Sequence, residues 1–312
     1  MFSSNTSQQS ESYQIQRSLR FNSADSAYLN RTPASAGNRK TWTWSGWVKR
    51  SGLGEAPLFG AGTASNPRGA ISFGTDNTLY FYDQTNSAYV PTAAVFRDVS
   101  AWYHIVVAYD STQATDTNRV KLYVNNVQQT IGSGIAWPAQ NYDSVFNNNI
   151  AHQIGSYIVQ AFHNGYMTEV NFIDGQALTP SSFGQTNANT GVWEPKPYAG
   201  TYGTNGFYLN FSDNSNTTAT TLGKDYSGNG NNWTPNNFSV SAGAGNDSLV
   251  DVPTAWGTDT GVGGSVRGNY CTWNPLAQGG SFTFADGNLQ TSDPASNRKT
   301  LGTISVSSGK WY

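Results

Sequence analysis

Apolar and aromatic residues recur at every second position in a series of short runs, and that spacing constrains the fold more than any other feature. The runs lie at 42–49 (WTWSGWVK), 79–82, 102–109 (WYHIVVAY), 119–124 (RVKLYV) and 166–173 (YMTEVNFI), each bounded by Gly, Asn, Pro or Asp. No stretch of ten residues sustains a helical period, so the spacing predicts strands throughout. In 102–109 the alternation puts Trp102, His104, Val106 and Ala108 on one face and Tyr103, Ile105, Val107 and Tyr109 on the other. Both faces are largely apolar, as expected of a central strand covered on both sides. Asn125-Asn126 reads as a two-residue hairpin loop joining Lys121–Val124 to Val127–Thr130, because Asn tolerates positive φ. These signals together predict an all-β, antiparallel sandwich.

Composition bears on what such a sandwich does. Only 12% of the 312 residues are charged, against 13% aromatic, so the surface is built from neutral Asn, Thr, Ser, Gly and Gln. Seventeen Lys and Arg stand against nineteen Asp and Glu, which argues against a nucleic-acid partner. No apolar run approaches the ~20 residues of a membrane span, so no membrane insertion is expected. The segment Met1–Arg17 lacks the apolar stretch of a signal peptide. A single cysteine, Cys271, rules out an intrachain disulfide. Three histidines and four glutamates leave little equipment for acid–base chemistry, so no catalytic residue and no cofactor is expected.

Texture divides the chain into four parts. Residues 1–17 read as a polar arm that orders on a partner, and 18–185 as the sandwich. Residues 186–255 are rich in Asn and Gly and hold one short apolar run, Gly206–Phe211, too little for a core of their own. They are expected to complete the same sandwich. Residues 256–312 read as the start of a further β domain, ending in mid-pattern on Trp311-Tyr312.

Three motifs in order resemble the laminin G-like (concanavalin A-like) jelly roll. The first is Ser18–Tyr28 followed by Trp42–Arg50. The second pairs Trp102–Asp110 with Val120–Val127, and the third joins Ile154-Gly155-Ser156 to Phe162–Pro180. The tail at 270–312, closing on Ser307–Tyr312, resembles the opening of a SPRY-type sandwich. The whole arrangement is similar to structural proteins of tailed bacteriophages. That resemblance implies a non-enzymatic virion protein (a fibre, decoration or tail appendage). It would be homo-oligomeric, contact other virion proteins, and attach to a glycan or protein of the host surface. The alternative is a carbohydrate-binding module of a bacterial surface or secreted protein. A glucanase-type hydrolase is a third reading, and it lacks the alternating carboxylates on one strand that such chemistry requires: the period-two neighbours of Glu169 are Met167 and Asn171.

The resemblance also implies calcium, which takes six to eight oxygens. Here Thr168 replaces the Asp of many relatives and Asn125-Asn126 the usual Asp-Gly, so a family-like calcium site is not expected. Asp225 with Asn229, Asn231 and Asn232 is the remaining oxygen cluster, and it reads more readily as a polar turn held by Asx hydrogen bonds than as a cation site. For glycan contact the candidates are Trp137, Tyr142 and Asp143, in a loop between strand pairs, and His163 at a strand entrance. An aromatic face stacks on the C–H surface of a pyranose while Asn or Asp reads its hydroxyls.

Overall fold

The computed structural model describes residues 13–63, 66–257, 266–293 and 299–305. The first strands are β1 (Ser18–Phe21), β2 (Tyr28–Arg31), β3 (Thr41–Arg50) and β4 (Ala56–Ala61). Next come β5 (Gly69–Phe73), β6 (Thr78–Asp83), β7 (Ala88–Val95), β8 (Trp102–Asp110), β9 (Val120–Val124) and β10 (Val127–Gln128). They are followed by β11 (His152–Ile154), β12 (Ser156–Tyr157), β13 (Ala161–Phe162) and β14 (Gly165–Asp174). The later part of the chain adds β15 (Gly184–Thr186), β16 (Trp193–Pro195), β17 (Phe207–Leu209), β18 (Thr234–Asn236) and β19 (Ser248–Leu249). Beyond them, Trp273–Gln278 pairs with Thr300–Gly302 and Thr283–Ala285 with Gln290–Ser292. Helical structure among the described residues is limited to short 3-10 turns, and no helix is long and apolar enough to cross a membrane.

Two antiparallel sheets face each other. One has eight strands in the order β10-β9-β8-β3-β14-β1-β19, with β17 also pairing β14; the other has seven, β18-β2-β11-β4-β5-β6-β7. β14 accommodates two neighbours on one edge because it is bulged between Thr168 and Asn171. β1 pairs with residues 165–167 on one side of the bulge, and β17 with 170–172 on the other. The Asn125-Asn126 hairpin forms as read, with φ of 49° and 69° at the two residues.

Period two decides which side chains meet between the sheets. Leu29, Ile154, Phe59, Ile71, Phe81 and Val90 form one cross-strand row of the seven-stranded sheet, and every member is buried in the core. From the opposing sheet, Trp42 stacks on Tyr109 at 5.1 Å and on Phe172 at 5.7 Å, filling the middle of the sandwich. Gly155 turns β11 into β12 at φ 76°, where a Cβ would lie 2.1 Å from the Phe21 ring, so neither the conformation nor the space admits another residue.

Residues 186–255 feed both sheets: β17 and β19 join the eight-stranded sheet and β18 the seven-stranded one. Phe207, Leu209, Phe211, Leu222 and Trp233 bury into the same core. Residues from 183 onward also cover the outer face of the eight-stranded sheet. Phe183, Tyr198 and Tyr202 pack on Val106, Ala108 and Ile173, and Trp193 packs near Trp47, Trp102 and Tyr166. Lys49, fully buried on that face, pairs with Asp251 at 2.8 Å and also donates to Asn269 Oδ1 and the Tyr270 carbonyl. The N-terminal segment joins this cover. Ile15 is buried, its carbonyl accepts from Trp256 Nε1 at 2.8 Å, and the Tyr13 and Tyr208 hydroxyls lie 2.6 Å apart. Residues 1–12 of the expected arm, and the Ser307–Tyr312 tail, lie outside the described residues.

Candidate functional site at the sandwich edge

The two sheets part along the β9–β10 edge, and the loop after β10 closes the gap. Residues 131–136 run back beside β7, with bridges from Ile131 to Thr92 and from Ala136 to Tyr89. Trp137 follows and packs half-buried against the core. Arg119 fixes the next residue by donating from Nη1 to the Pro138 carbonyl at 2.8 Å.

Between this loop and β9–β10 lies a groove of about 370 Å³ lined by Trp137, Ile131, Ile135, Val120, Leu122, Thr117, Asn118, Lys121, Gln128 and Gln129. A second recess of about 240 Å³ continues across β9, lined by Ala108, Asp110, Gln113, Tyr123 and residues 177–179, and it shares Asn118 and Lys121 with the first. An apolar floor with a rim of amides, a hydroxyl and one ammonium suits a ligand with apolar faces and many hydroxyls. The recesses contain one carboxylate, that of Asp110. Partial burial alone would raise its pKa, but donors from Thr112 and Gln113 at 2.5 and 2.6 Å outweigh this and hold it below the usual range. A glycosidase needs two carboxyl groups about 5–10 Å apart, and the recesses hold no second one.

The structure separates the residues singled out from the sequence. Trp137 lines the groove. Tyr142 and Asp143 do not: they belong to the next turn, where the Tyr142 carbonyl accepts from Ser111 Oγ at 2.8 Å and the Asp143 carbonyl from Arg39 Nη2 at 3.0 Å. His163 must be corrected. It is 0% exposed, edge-on to Phe21, with burial pushing its pKa down to about 3, so no glycan can reach it. Asp225 holds a turn, its carboxylate accepting from Tyr208 N, Ser227 N, Ser227 Oγ and Asn231 N at 2.8 Å each. Those donors occupy the oxygens a cation would need. No group of three or more metal-ligating side chains occurs among the described residues.

Sequence reading missed Lys121, Asn118 and Gln128. A polar residue on a strand or turn looks the same whether it faces bulk water or a groove, and only the returning loop makes the distinction.

The fold defines a jelly-roll sandwich of the laminin G type. A laminin G family model, described as the concanavalin A-like lectin/glucanases superfamily, matches residues 22–182, just over half of the chain. The chain belongs to that superfamily. Among curated proteins, none matches the sequence. Similar solved structures include a Bacteroides ovatus protein described as carbohydrate binding, at 15% identity and a TM-score of 0.46, covering 72% of this chain and 59% of that one. The chain thus spans less than two thirds of that relative's length. The SAP-like pentraxin of Limulus polyphemus is similar at 16% identity and a TM-score of 0.39, covering 54% of this chain and 80% of its own. Domains LG4-5 of the mouse laminin α1 chain match at 12% identity and a TM-score of 0.37, covering 50% of this chain and 40% of theirs.

Proposed function

We propose that the chain is a non-catalytic glycan-binding module that holds a saccharide at the β9–β10 edge. The groove carries this reading: Trp137 with Ile131 and Ile135 offers an apolar bed, and Asn118, Gln128 and Lys121 surround it with hydrogen-bonding groups. A single, already hydrogen-bonded carboxylate supports binding without hydrolysis. The test is a titration with neutral xylo-, manno- and galacto-oligosaccharides, followed by tryptophan fluorescence and by product analysis. Binding that weakens at least tenfold in Trp137→Ala, with no cleavage, is expected. Equal binding by that variant removes the groove from the site, and cleavage removes the non-catalytic reading.

The sequence resemblance to tailed-phage structural proteins supports a placement on a virion, where symmetric copies multiply weak saccharide contacts. Mass spectrometry of purified particles tests the placement separately. Absence from them returns the module to a bacterial surface or secreted protein.

A further inference from the structure

The outer face of the seven-stranded sheet carries a different chemistry. Pairing register aligns Gly60, Ala70, Tyr82 and Tyr89 in one outward row, with Ser72 and Tyr80 in the next. Small residues occupy β4 and β5 while half-buried tyrosines stand on β6 and β7. The β12–β13 hairpin folds down over Gly60, where an added Cβ would lie 2.5 Å from the Ser156 carbonyl oxygen. This close approach brings Tyr157 across from Tyr82. The hairpin turn places Ile158 and Val159 at φ 48° and 56°. Left-handed backbone at β-branched residues is strained and persists only where the surroundings impose it.

Arg68 sits between the two tyrosines. Its guanidinium lies 5.9 Å from the Tyr82 ring centre and 5.6 Å from that of Tyr157. Arg20 spends donors on Asp247, and Arg39 and Arg50 spend terminal donors on loop carbonyls, although Arg50 Nε, like that of Arg68, is buried without a partner. Among the described residues nothing accepts a hydrogen bond from Arg68, no carboxylate pairs with it, and its Nε is buried without a partner. The adjoining turn repeats the pattern. Gln84 N donates to the Arg68 carbonyl at 3.0 Å, while Gln84 Oε1 and Asn86 Nδ2 are buried and unpartnered.

A guanidinium held in place by aromatic faces, with its donors unspent, is prepared for a planar anion that it grips with two parallel hydrogen bonds. We propose that this corner is a second saccharide site, selective for acidic sugars. Arg68 takes the ring carboxylate, and the Tyr82–Tyr89 surface takes the apolar face of the same or the adjacent sugar. The site lies on a different face from the Trp137 groove and does not depend on it.

The experiment is calorimetric titration of the full chain with trigalacturonate and 3′-sialyllactose. Fully methyl-esterified trigalacturonate, lactose and sodium acetate serve as controls. At least one acidic saccharide is expected to bind at least tenfold more tightly than its neutral counterpart. Arg68→Lys, which keeps the charge but loses the fork, should weaken it about tenfold, with an unchanged unfolding midpoint showing that the fold is intact. Trp137→Ala should leave acidic binding unaltered. The proposal is overturned if neither acidic saccharide binds, if ester and acid bind alike, if Arg68→Lys binds as the parent does, or if acetate alone binds as tightly as the saccharide. Loss of acidic binding in Trp137→Ala would likewise overturn it by assigning that binding to the groove. Failure of the neutral oligosaccharides alone bears on the groove and leaves this site standing.

Discussion

The two outer faces of the sandwich have opposite fates. The eight-stranded sheet presents Trp47, Lys49, Trp102, His104 and Tyr166 outward, and all of them are buried by the later part of the chain. The seven-stranded sheet presents Tyr80, Tyr82 and Tyr89, and they remain half-exposed. Similar residue types therefore end in different environments, and the difference shows in their partners. On the covered face Lys49 is paired with Asp251, and the Trp193 N–H donates to His104 Nδ1 at 3.0 Å. On the open face the Arg68 guanidinium lies against the Tyr82 and Tyr157 rings, with no acceptor among the described residues. Burial favours polar groups that find partners within the protein, whereas groups at the surface stay available to a ligand.

The largest expected effect comes from uncovering the closed face. Asp251 accepts from Lys49 Nζ and from Trp102 Nε1 at 2.9 Å, although burial pushes its own carboxyl upward. Asp251→Ala leaves the buried Lys49 ammonium without its counter-charge, held only by the neutral Asn269 and Tyr270 oxygens, and leaves the buried Trp102 N–H without a partner. It should cost about 3–5 kcal/mol in urea unfolding. A loss below about 1 kcal/mol would show that the cover is loosely attached.

Next is pH, because the covered face also buries two groups that titrate in opposite senses. Burial pushes His104 down to about 3, so the folded chain resists the proton that the unfolded chain accepts below about 6.5. His104 therefore takes stability away as pH falls from about 6.5 towards 3. Burial pushes Glu169 up to about 7, opposed by hydrogen bonds from Tyr208 and Tyr13, so the folded chain keeps a proton that the unfolded chain has released. Glu169 takes stability away as pH rises from about 4.5 to 7, and the loss is complete above that. Glu169→Gln should accordingly gain about 3 kcal/mol at pH 8 and almost nothing at pH 4.5. A gain of equal size at both values would show that charge is not the cause.

The open face should respond least. Tyr89→Ser removes a half-exposed ring and should change stability by about 1 kcal/mol or less in the same urea measurement. A loss of 3 kcal/mol would mean that the tyrosines are structural and would weaken their assignment as a ligand surface.

Several local features were legible in the sequence. Alternation in 102–109 predicted a strand covered on both faces. In the fold Tyr103, Ile105, Val107 and Tyr109 enter the main core, while Val106 and Ala108 lie in the cluster on the opposite side. Asn125-Asn126 predicted its own hairpin because left-handed φ is a local requirement. Trp137 was legible as an aromatic residue stranded in a polar loop. His163 was not, since a lone histidine at a strand entrance carries no sign of whether the next loop will bury it. Arg68 was silent for the same reason.

The sequence by itself determined the strand runs at 42–49, 79–82, 102–109, 119–124 and 166–173, the two faces of 102–109 and one turn, because each is set by the geometry of neighbouring residues along the chain. Only the tertiary structure decided which outer face would be closed and which left open. That choice rests on contacts such as Lys49 with Asp251, 202 positions apart, and Arg20 with Asp247, 227 apart. No local period encodes such pairs. Each needs two distant parts of the chain brought together by the assembled sheets.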